Sequence, residues 1–428
     1  MVTVHDSKKV DSQRARRDLI ELGRLGRRNG ELVEHFDDLS LVKGLHRIEG
    51  SKEIKESREY LFNLMKEAGL RIRTDRTGNI FARKEGLSDD KAVMCGSHLD
   101  SVLNGGMFDG VLGVISALEA IRRMNDEGFQ NRRPIEIVVF IGEEGSAFRK
   151  VLLGSSVFIG ESTWEEAYKL RDDKGVTLEE VLIEHGLLGA SQFSVDDIDY
   201  FIELHVEQGP VLNKEKIPLG IVESVTGLTW IRAVVKGEEN HAGTTPMHMR
   251  VDPLVASSEV VSFTNRKATE MAAINGTTVA TVGKLVVHPG SPNIVPGEVE
   301  LGIDIRDTDA ERKKKITNEI VSVIKHLEEK FNVETEVEFL FDHPPSKLSD
   351  DVIQTIQQAA ESIGIDYKVM NSGAGHDAQN LAHKVKTGMI FVPSINGISH
   401  SPLEWTEWCH VENGIQVLTE TLKLLSST

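Results

Sequence analysis

The chain lacks most of the features that would place a protein outside the cell, in a membrane or on a polyanion. Its 428 residues include two cysteines, Cys95 and Cys409, with no Cys-x-x-Cys pair, which excludes a disulfide framework. No apolar run approaches the roughly 18 residues of a membrane span. Met1 to Leu19 is polar and charged, without the apolar core of a signal peptide, so a cytoplasmic protein without membrane contact is expected. Basic residues are in the minority, 49 against 67 acidic ones for a formal charge of −18, and they form no long tract. That disfavours nucleic acid and anionic lipid and points to a small-molecule partner. Repeats, low-complexity segments and disordered linkers are absent too. Asn275-Gly-Thr277 fits the glycosylation pattern, but without secretion it reads as a turn.

What is present is an ordinary globular composition over a length at which single cores usually divide, so two domains are expected. The most informative stretch runs from Gly96 to Gly113, where the apolar run Ala92-Val-Met-Cys95 stops and His98, Asp100 and Asp109 appear among five glycines. Ala92 to Cys95 has the character of a buried strand and Gly110 to Asn125 the period of a helix. The polar residues thus fall at the carboxyl end of a strand, where open α/β sheets place their ligands. Taken alone, Asp109 reads equally as a cap for the following helix and His98 as a loop histidine.

Two further strand ends repeat the arrangement. Ile135-Glu-Ile-Val-Val-Phe-Ile141 runs into Gly142-Glu-Glu-Gly145, and Tyr200-Phe-Ile-Glu-Leu-His205 ends on a histidine before Val206-Glu-Gln-Gly-Pro210. Around them, Ser12 to Arg27 and Ser51 to Gly69 have amphipathic helical spacing, and Arg71 to Thr74 with Asn79 to Arg83 form a hairpin about Asp75-Arg-Thr-Gly78. From about Gly220 the order becomes strand (Trp230 to Lys236), helix (Pro253 to Glu270), strand (Thr277 to Val287), strand (Glu298 to Arg306), helix (Ala310 to Asn332), strand (Glu334 to Phe341). That is the split-βαβ, ferredoxin-like pattern of a compact inserted domain. A helix at Asp351 to Ile363, a strand at Thr387 to Val392 and a helix at His410 to Leu425 close the chain. The expected division is a catalytic domain of residues 1–219 and 343–428 with an inserted domain of residues 220–342. The fold class is α/β with a mixed sheet.

The candidates His98, Asp109, Glu143, Glu144, His205 and His400 each lie in a glycine-rich or proline-flanked loop beside an apolar strand. Nitrogen and carboxylate donors without thiolates suit Zn, Mn, Co or Ni. Five or six donors exceed what one catalytic ion needs and suit two ions sharing a carboxylate.

Gly96-Ser-His-Leu-Asp100, Gly105-Gly-Met-Phe-Asp-Gly110, Glu143-Glu-Gly145, Glu203-Leu-His205, His241-Ala-Gly-Thr-Thr-Pro246 and Ser399-His-Ser-Pro402 occur in that order. Together they resemble the M20-type dinuclear metallohydrolases, in the branch of N-carbamoyl-L-amino acid hydrolases, allantoate amidohydrolases and β-ureidopropionases. The resemblance covers the chain from about residue 40 onward. It implies two divalent ions per subunit, with Asp109 bridging them, His98 and His205 completing one shell, and Glu144 and His400 completing the other. Glu143 is then the general base, and Asp100 orients His98 by accepting its second N–H. The resemblance further implies that His241 stabilises the oxyanion, that Arg306 clamps a carboxylate, and that Asn293, Gln208 and the backbone at Gly375 contact substrate. The inserted domain becomes lid and homodimer interface.

Two features bear on the substrate. Glu-Glu-Gly-Ser is followed by Ala147-Phe148-Arg149, where many relatives have Arg-Phe, and Trp230 stands eleven positions before His241. In allantoate amidohydrolases that position tends to be arginine, which suits a second ureido group, whereas a tryptophan suits an apolar side chain. With Ser399-His-Ser-Pro-Leu-Glu-Trp405 this favours an N-carbamoyl-L-amino acid. The alternatives are an allantoate amidohydrolase, a β-ureidopropionase, a metallopeptidase on the same scaffold, and a non-catalytic two-domain binding protein.

Overall fold

Short, mainly apolar runs become the central strands of a nine-stranded mixed sheet in the computed structural model, which describes residues 12–27 and 44–428. Residues 1–11 of the stretch read for a signal peptide lie outside them. The chain divides into two compact units. One takes the chain up to Glu223 with Lys347–Ser372 and His376–Thr428; the other is Ser224–Ser346 with Gly373–Gly375.

In the first unit seven of the nine strands run in the order Arg71–Thr74, Ile80–Lys84, Ile135–Phe140, Ala92–His98, Ile198–Val206, Lys386–Val392, Gly220–Val225, and Lys368–Ser372 pairs with the last of these. Every residue of Ala92–His98 and of Ile135–Phe140 is buried, as expected of parallel strands covered on both faces. Ala92–His98 pairs in parallel with Ile135–Phe140 and Ile198–Val206, and Lys386–Val392 pairs in parallel with Ile198–Val206. In this register His98 is level with Phe140, and His205 with Phe391. The carboxyl ends of these strands therefore lie along one edge, and the loops leaving them carry the candidate donors.

The helix Val111–Asp126 buries Val111, Val114, Ile115, Leu118 and Ile121 and packs on Ala92–His98 and on the closing helix Trp408–Ser426. Its N-cap is Gly110, with no side-chain capping bond. The capping reading of Asp109 is thereby corrected: its main-chain carbonyl accepts the Val111 N–H at 2.8 Å, and its carboxylate is left for other partners.

The second unit contains a four-stranded antiparallel sheet in the order Glu334–His343, Gly227–Lys236, Glu298–Asp307, Val279–His288. The helices Pro253–Asn275 and Ala310–Phe331 cover one of its faces, where Ile231, Ala233, Val235, Leu301, Ile303 and Ile305 meet Val260, Ile316, Ile320 and Ile324. The alternate residues Asp304 and Arg306 face the other way, as the two-residue period of a strand requires. Thr277 and Thr278, read as strand, instead donate their amides to Asn275 Oδ1 in a turn. The glycosylation-like tripeptide is thus built into that turn.

Several elements carry no sequence-based expectation. Among them are the short helices Leu153–Phe158, Trp164–Tyr168, Leu178–Glu184 and Asp377–Leu381, and the strand Lys368–Ser372. Five to seven residues span too little of a period to be read from spacing. Two of the helices do carry a local signal, the capping boxes Thr163-x-x-Glu166 and Thr177-x-x-Glu180.

Candidate metal centre and substrate-binding residues

Six of the candidate residues from four strand ends meet in the first unit. His98 closes its strand and donates Nδ1–H to the main-chain carbonyl of Asp100 at 3.1 Å. His205 does the same with the carbonyl of Val206 at 2.9 Å. A carbonyl only accepts, so Nδ1 carries the proton in both rings and Nε2 presents a lone pair. These lone pairs converge on one carboxylate oxygen, Asp109 Oδ1, at 3.6 Å from His98 and 3.1 Å from His205. The other oxygen, Oδ2, faces His400 Nε2 at 3.2 Å, and the same His400 nitrogen lies 3.6 Å from Glu144 Oε2. Glu143 Oε2 is 3.7 Å from His98 Nε2.

Donor atoms of His98, Asp109 and His205 lie within 4.8 Å of one another, as do those of Asp109, Glu144 and His400, so each trio could hold an ion. The chemistry of the donors fits a cation. An imidazole lone pair facing a carboxylate oxygen needs a proton or a metal between them, and an imidazole whose other N–H is fixed by a carbonyl is oriented as metal ligands are. Glu144 Oε1 is buried without a hydrogen-bond partner, and so is Gln208 Oε1. Gln208 Nε2, 3.1 Å from Asp109 Oδ2 and 3.3 Å from His400 Nε2, puts an amide N–H where positive charge is wanted.

The titration of the cluster follows from the same crowding. Burial works against a charge on Asp109, yet its contacts with the imidazoles of His205, His400 and His98 hold its carboxyl well below the usual range. The Asp109 contact also holds the His400 imidazolium up to about 9. Burial pushes Glu143 well above the usual carboxylate range, reinforced by Glu144, Asp377 and Asp100 and opposed by His98. Glu144 is pushed up to about 8, first by burial and then by Asp109. Neighbouring carboxyls thus favour opposite protonation states, as crowded buried acids do.

Asp100 differs from its expected role. Its Oδ1 lies 3.7 Å from His98 Nδ1, beyond hydrogen-bond reach, and the main-chain carbonyl makes that contact instead. Its carboxylate accepts the amides of Glu143 and Glu144 at 3.2 and 3.1 Å. Two amides presented together at the next strand end outcompete one imidazole N–H already bonded nearby, so Asp100 positions the Glu143-Glu144 turn.

Other groups here were not among the sequence-based candidates. Glu203 accepts from Ser97 Oγ at 2.6 Å and from the Ala378 amide at 2.9 Å, tying two strands to a helix start. Arg47 is fully buried, with Nε donating to the Leu99 carbonyl at 2.9 Å. Glu404, 2% exposed, accepts from the amides of Phe108 and Asp109. Among these the sequence signals Glu203, through the Glu203-Leu-His205 motif, and Glu404, through Ser399-His-Ser-Pro-Leu-Glu-Trp405. Gly110 is constrained from two sides: φ is 68°, and a Cβ there would fall 2.5 Å from the His98 ring.

The second unit holds the remaining candidates. His241 is exposed, and its Nδ1 accepts the amides of Gly243 and Thr244 at 2.9 and 3.1 Å. Nε2 therefore carries the proton and is a donor. Asn293 is brought beside it, its carbonyl accepting the Ala242 amide at 3.0 Å. Arg306 donates Nε and Nη2 to Asp304, each at 2.9 Å, and Nη1 to the Gly373 carbonyl at 2.7 Å. Gly375, read as part of the catalytic domain, groups with this unit through Gly373–Gly375. Arg149, whose role the departure at Ala147-Phe148-Arg149 puts in question, pairs with exposed Asp173 on the surface.

Known proteins resemble this chain over most of its length. The chain is 39% identical over 387 residues, 89% of its length and 93% of the relative's, to an N-carbamoyl-L-amino-acid amidohydrolase of Paenarthrobacter aurescens. It is 34% identical over 386 residues, 90% of its length and 93% of the relative's, to an allantoate amidohydrolase of Escherichia coli. Among solved structures, an amidase of the hydantoinase/carbamoylase family from Burkholderia multivorans superimposes with a TM-score of 0.90 at 34% identity, over 98% of each chain. Residues 94–424, which carry all the candidate donors, match the family described as Peptidase family M20/M25/M40, and the chain belongs to that family.

Proposed function

We propose that this chain is a metal-dependent amidohydrolase that cleaves the ureido C–N bond of N-carbamoyl-L-amino acids, giving the L-amino acid, carbon dioxide and ammonia. The observation that carries the reading is the division of Asp109: Oδ1 faces His98 and His205, while Oδ2 faces His400 with Glu144 beside it. One carboxylate shared by two donor sets is what a two-ion centre needs. His98, Asp109 and His205 then hold one ion and Asp109, Glu144 and His400 the other, with Zn, Mn, Co or Ni as the fitting metals.

Bound divalent ions supply Lewis acidity to the ureido carbonyl and to the attacking water. Glu143 accepts the proton of that water as its oxygen attacks the ureido carbon, then delivers the proton to the departing amine nitrogen as the C–N bond breaks. The other fragment is carbamate, which decomposes to carbon dioxide and ammonia. His241 donates Nε2–H to the developing oxyanion, Arg306 and Asn293 take the substrate carboxylate with the backbone at Gly375, and Gln208 reads the ureido group.

The identity with the carbamoyl-amino-acid amidohydrolase and the place of Trp230 support this substrate over allantoate. We take the working form to be a cytoplasmic homodimer joined through the second unit, a reading supported by the family resemblance and by two cysteines that are both free. The test is chain stripped with chelator, rebuilt with single metals, and assayed in parallel on N-carbamoyl-L-methionine, allantoate and a dipeptide. Ammonia release from the carbamoyl amino acid is expected to be fastest. Faster turnover of allantoate overturns the substrate assignment, and fewer than about one bound ion per chain overturns the metal centre.

A further inference from the structure

Glu404 lies outside every role assigned so far, yet it joins the two loops on which the second donor set depends. Its Oε1 accepts the amides of Phe108 at 2.9 Å and Asp109 at 3.1 Å, and its Oε2 accepts Ser399 Oγ–H at 2.9 Å. Ser399 precedes His400, and its Oγ also receives Gln208 Nε2 at 3.2 Å. The carboxylate is 2% exposed, and there is no spare room around it: a Cβ on Gly106 would fall 2.4 Å from its side chain.

Something has to hold this arrangement, because two of its side chains stand on unfavourable backbone. His400 has φ 52° and Gln208 φ 57°, the left-handed region that is unfavourable for a non-glycine residue. Hydrogen bonds to a buried charged carboxylate are among the stronger ones a protein makes, and they offset that strain. The first donor set has a different support. His98 and His205 end adjacent parallel strands and have their Nδ1–H groups on main-chain carbonyls. Only Asp109 belongs to both sets.

We propose that Glu404 is a positioning residue for the second ion: it fixes the Asp109 loop against the His400 loop and so sets the Asp109–Glu144–His400 half of the centre, leaving the His98–His205 half to the sheet. The inference rests on the two-ion reading above. Gln at 404 can preserve the geometry, since its Oε1 still accepts the two amides and its Nε2 can donate to Ser399 Oγ. Ala cannot.

The experiment uses the full chain, stripped with chelator and titrated with Zn2+ alone by calorimetry, with bound zinc counted after desalting, in wild type, Glu404→Ala, Glu404→Gln and Ser399→Ala. Wild type is expected to bind two ions. Glu404→Ala should retain the first and lose about 10- to 100-fold in affinity for the second, the range seen when a partner behind a metal ligand is removed. Ser399→Ala, which leaves the amide contacts intact, should weaken the second ion selectively, and Glu404→Gln should stay within about threefold of wild type. Unchanged second-ion affinity in Ser399→Ala overturns the proposal, whether or not Glu404→Ala folds. Equal weakening of both ions, or a Glu404→Gln variant as impaired as the alanine, overturns it too. A wild type that binds fewer than two ions instead overturns the two-ion reading, which separates the two failures.

Discussion

Asp304 holds Arg306 by both oxygens, Oδ1 on Nε and Oδ2 on Nη2, each at 2.9 Å. With Nη1 also donating to the Gly373 carbonyl, three of the five guanidinium donors are committed within the second unit, and the outer hydrogens of Nη1 and Nη2 are what remains for a substrate carboxylate. A lysine cannot serve Asp304 and a substrate together, because its charge is a single point. Arg306→Lys is therefore expected to raise KM for N-carbamoyl-L-methionine about 10- to 100-fold, the loss of one charge-assisted bond, with a smaller change in kcat. Steady-state kinetics checks this. An unchanged KM removes Arg306 from substrate binding and leaves its bond to Asp304 as its whole role.

Trp230 shares that aspartate, donating Nε1–H to Asp304 Oδ2 at 2.7 Å. Its polar edge is thus occupied, and what the ring offers a ligand is its apolar face. Trp230→Arg replaces that face with donors suited to a ureido group. The ratio of kcat/KM for N-carbamoyl-L-methionine to that for allantoate should fall by about tenfold or more, within the range one side-chain contact can discriminate. A ratio that does not move shows that Trp230 does not line the substrate site.

Glu143 separates binding from chemistry. Glu143→Gln keeps the shape and the amide contact to Asp100 but cannot take a proton. Turnover should fall about 10²- to 10⁴-fold while zinc stoichiometry stays at the wild-type value. Loss of zinc together with activity would instead make Glu143 a ligand.

How much of this was legible in the sequence depends on how local each signal was. Ala92–His98 and Ile135–Phe140 were readable because central parallel strands are apolar on both faces, and the second unit because its six elements alternate cleanly in period. The donors were readable because each follows such a strand. The role of Glu404, within the quoted Ser399-His-Ser-Pro-Leu-Glu-Trp405 stretch, was not, since the amides it serves at Phe108 and Asp109 are 296 and 295 positions away and no spacing encodes that pairing. The role of Asp100 was misread for a related reason: its neighbour in sequence is His98, but the amides it caps belong to a different strand end. Short helices such as Trp164–Tyr168 were visible only in their caps.

A buried carboxyl outside the centre makes a prediction about pH. Asp75, in the hairpin turn, accepts from the amides of Thr77 and Asn79 and from Asn79 Nδ2 at 2.8, 2.9 and 2.8 Å. Asn79 Oδ1 in turn accepts the Ile141 amide at 3.1 Å, at the strand end that leads into Glu143. Burial outweighs these donors and pushes the Asp75 pKa up to about 6, against roughly 3.9 in an unfolded chain. Between those two values the folded state binds more protons than the unfolded state, so stability falls as pH rises through the window. Asp75 stabilises most below about pH 4, and its contribution is lost by about pH 7. Two pKa units correspond to about 3 kcal/mol. Denaturant unfolding of the metal-free chain and of Asp75→Asn at pH 4, 5, 6 and 7 reads this as a difference of differences, so any constant cost of the substitution cancels. The stability of wild type relative to Asp75→Asn should drop by about that amount across the series. A flat difference means that the Thr77 and Asn79 donors fully offset the burial, and that the turn beneath the Glu143 strand carries its charge without cost.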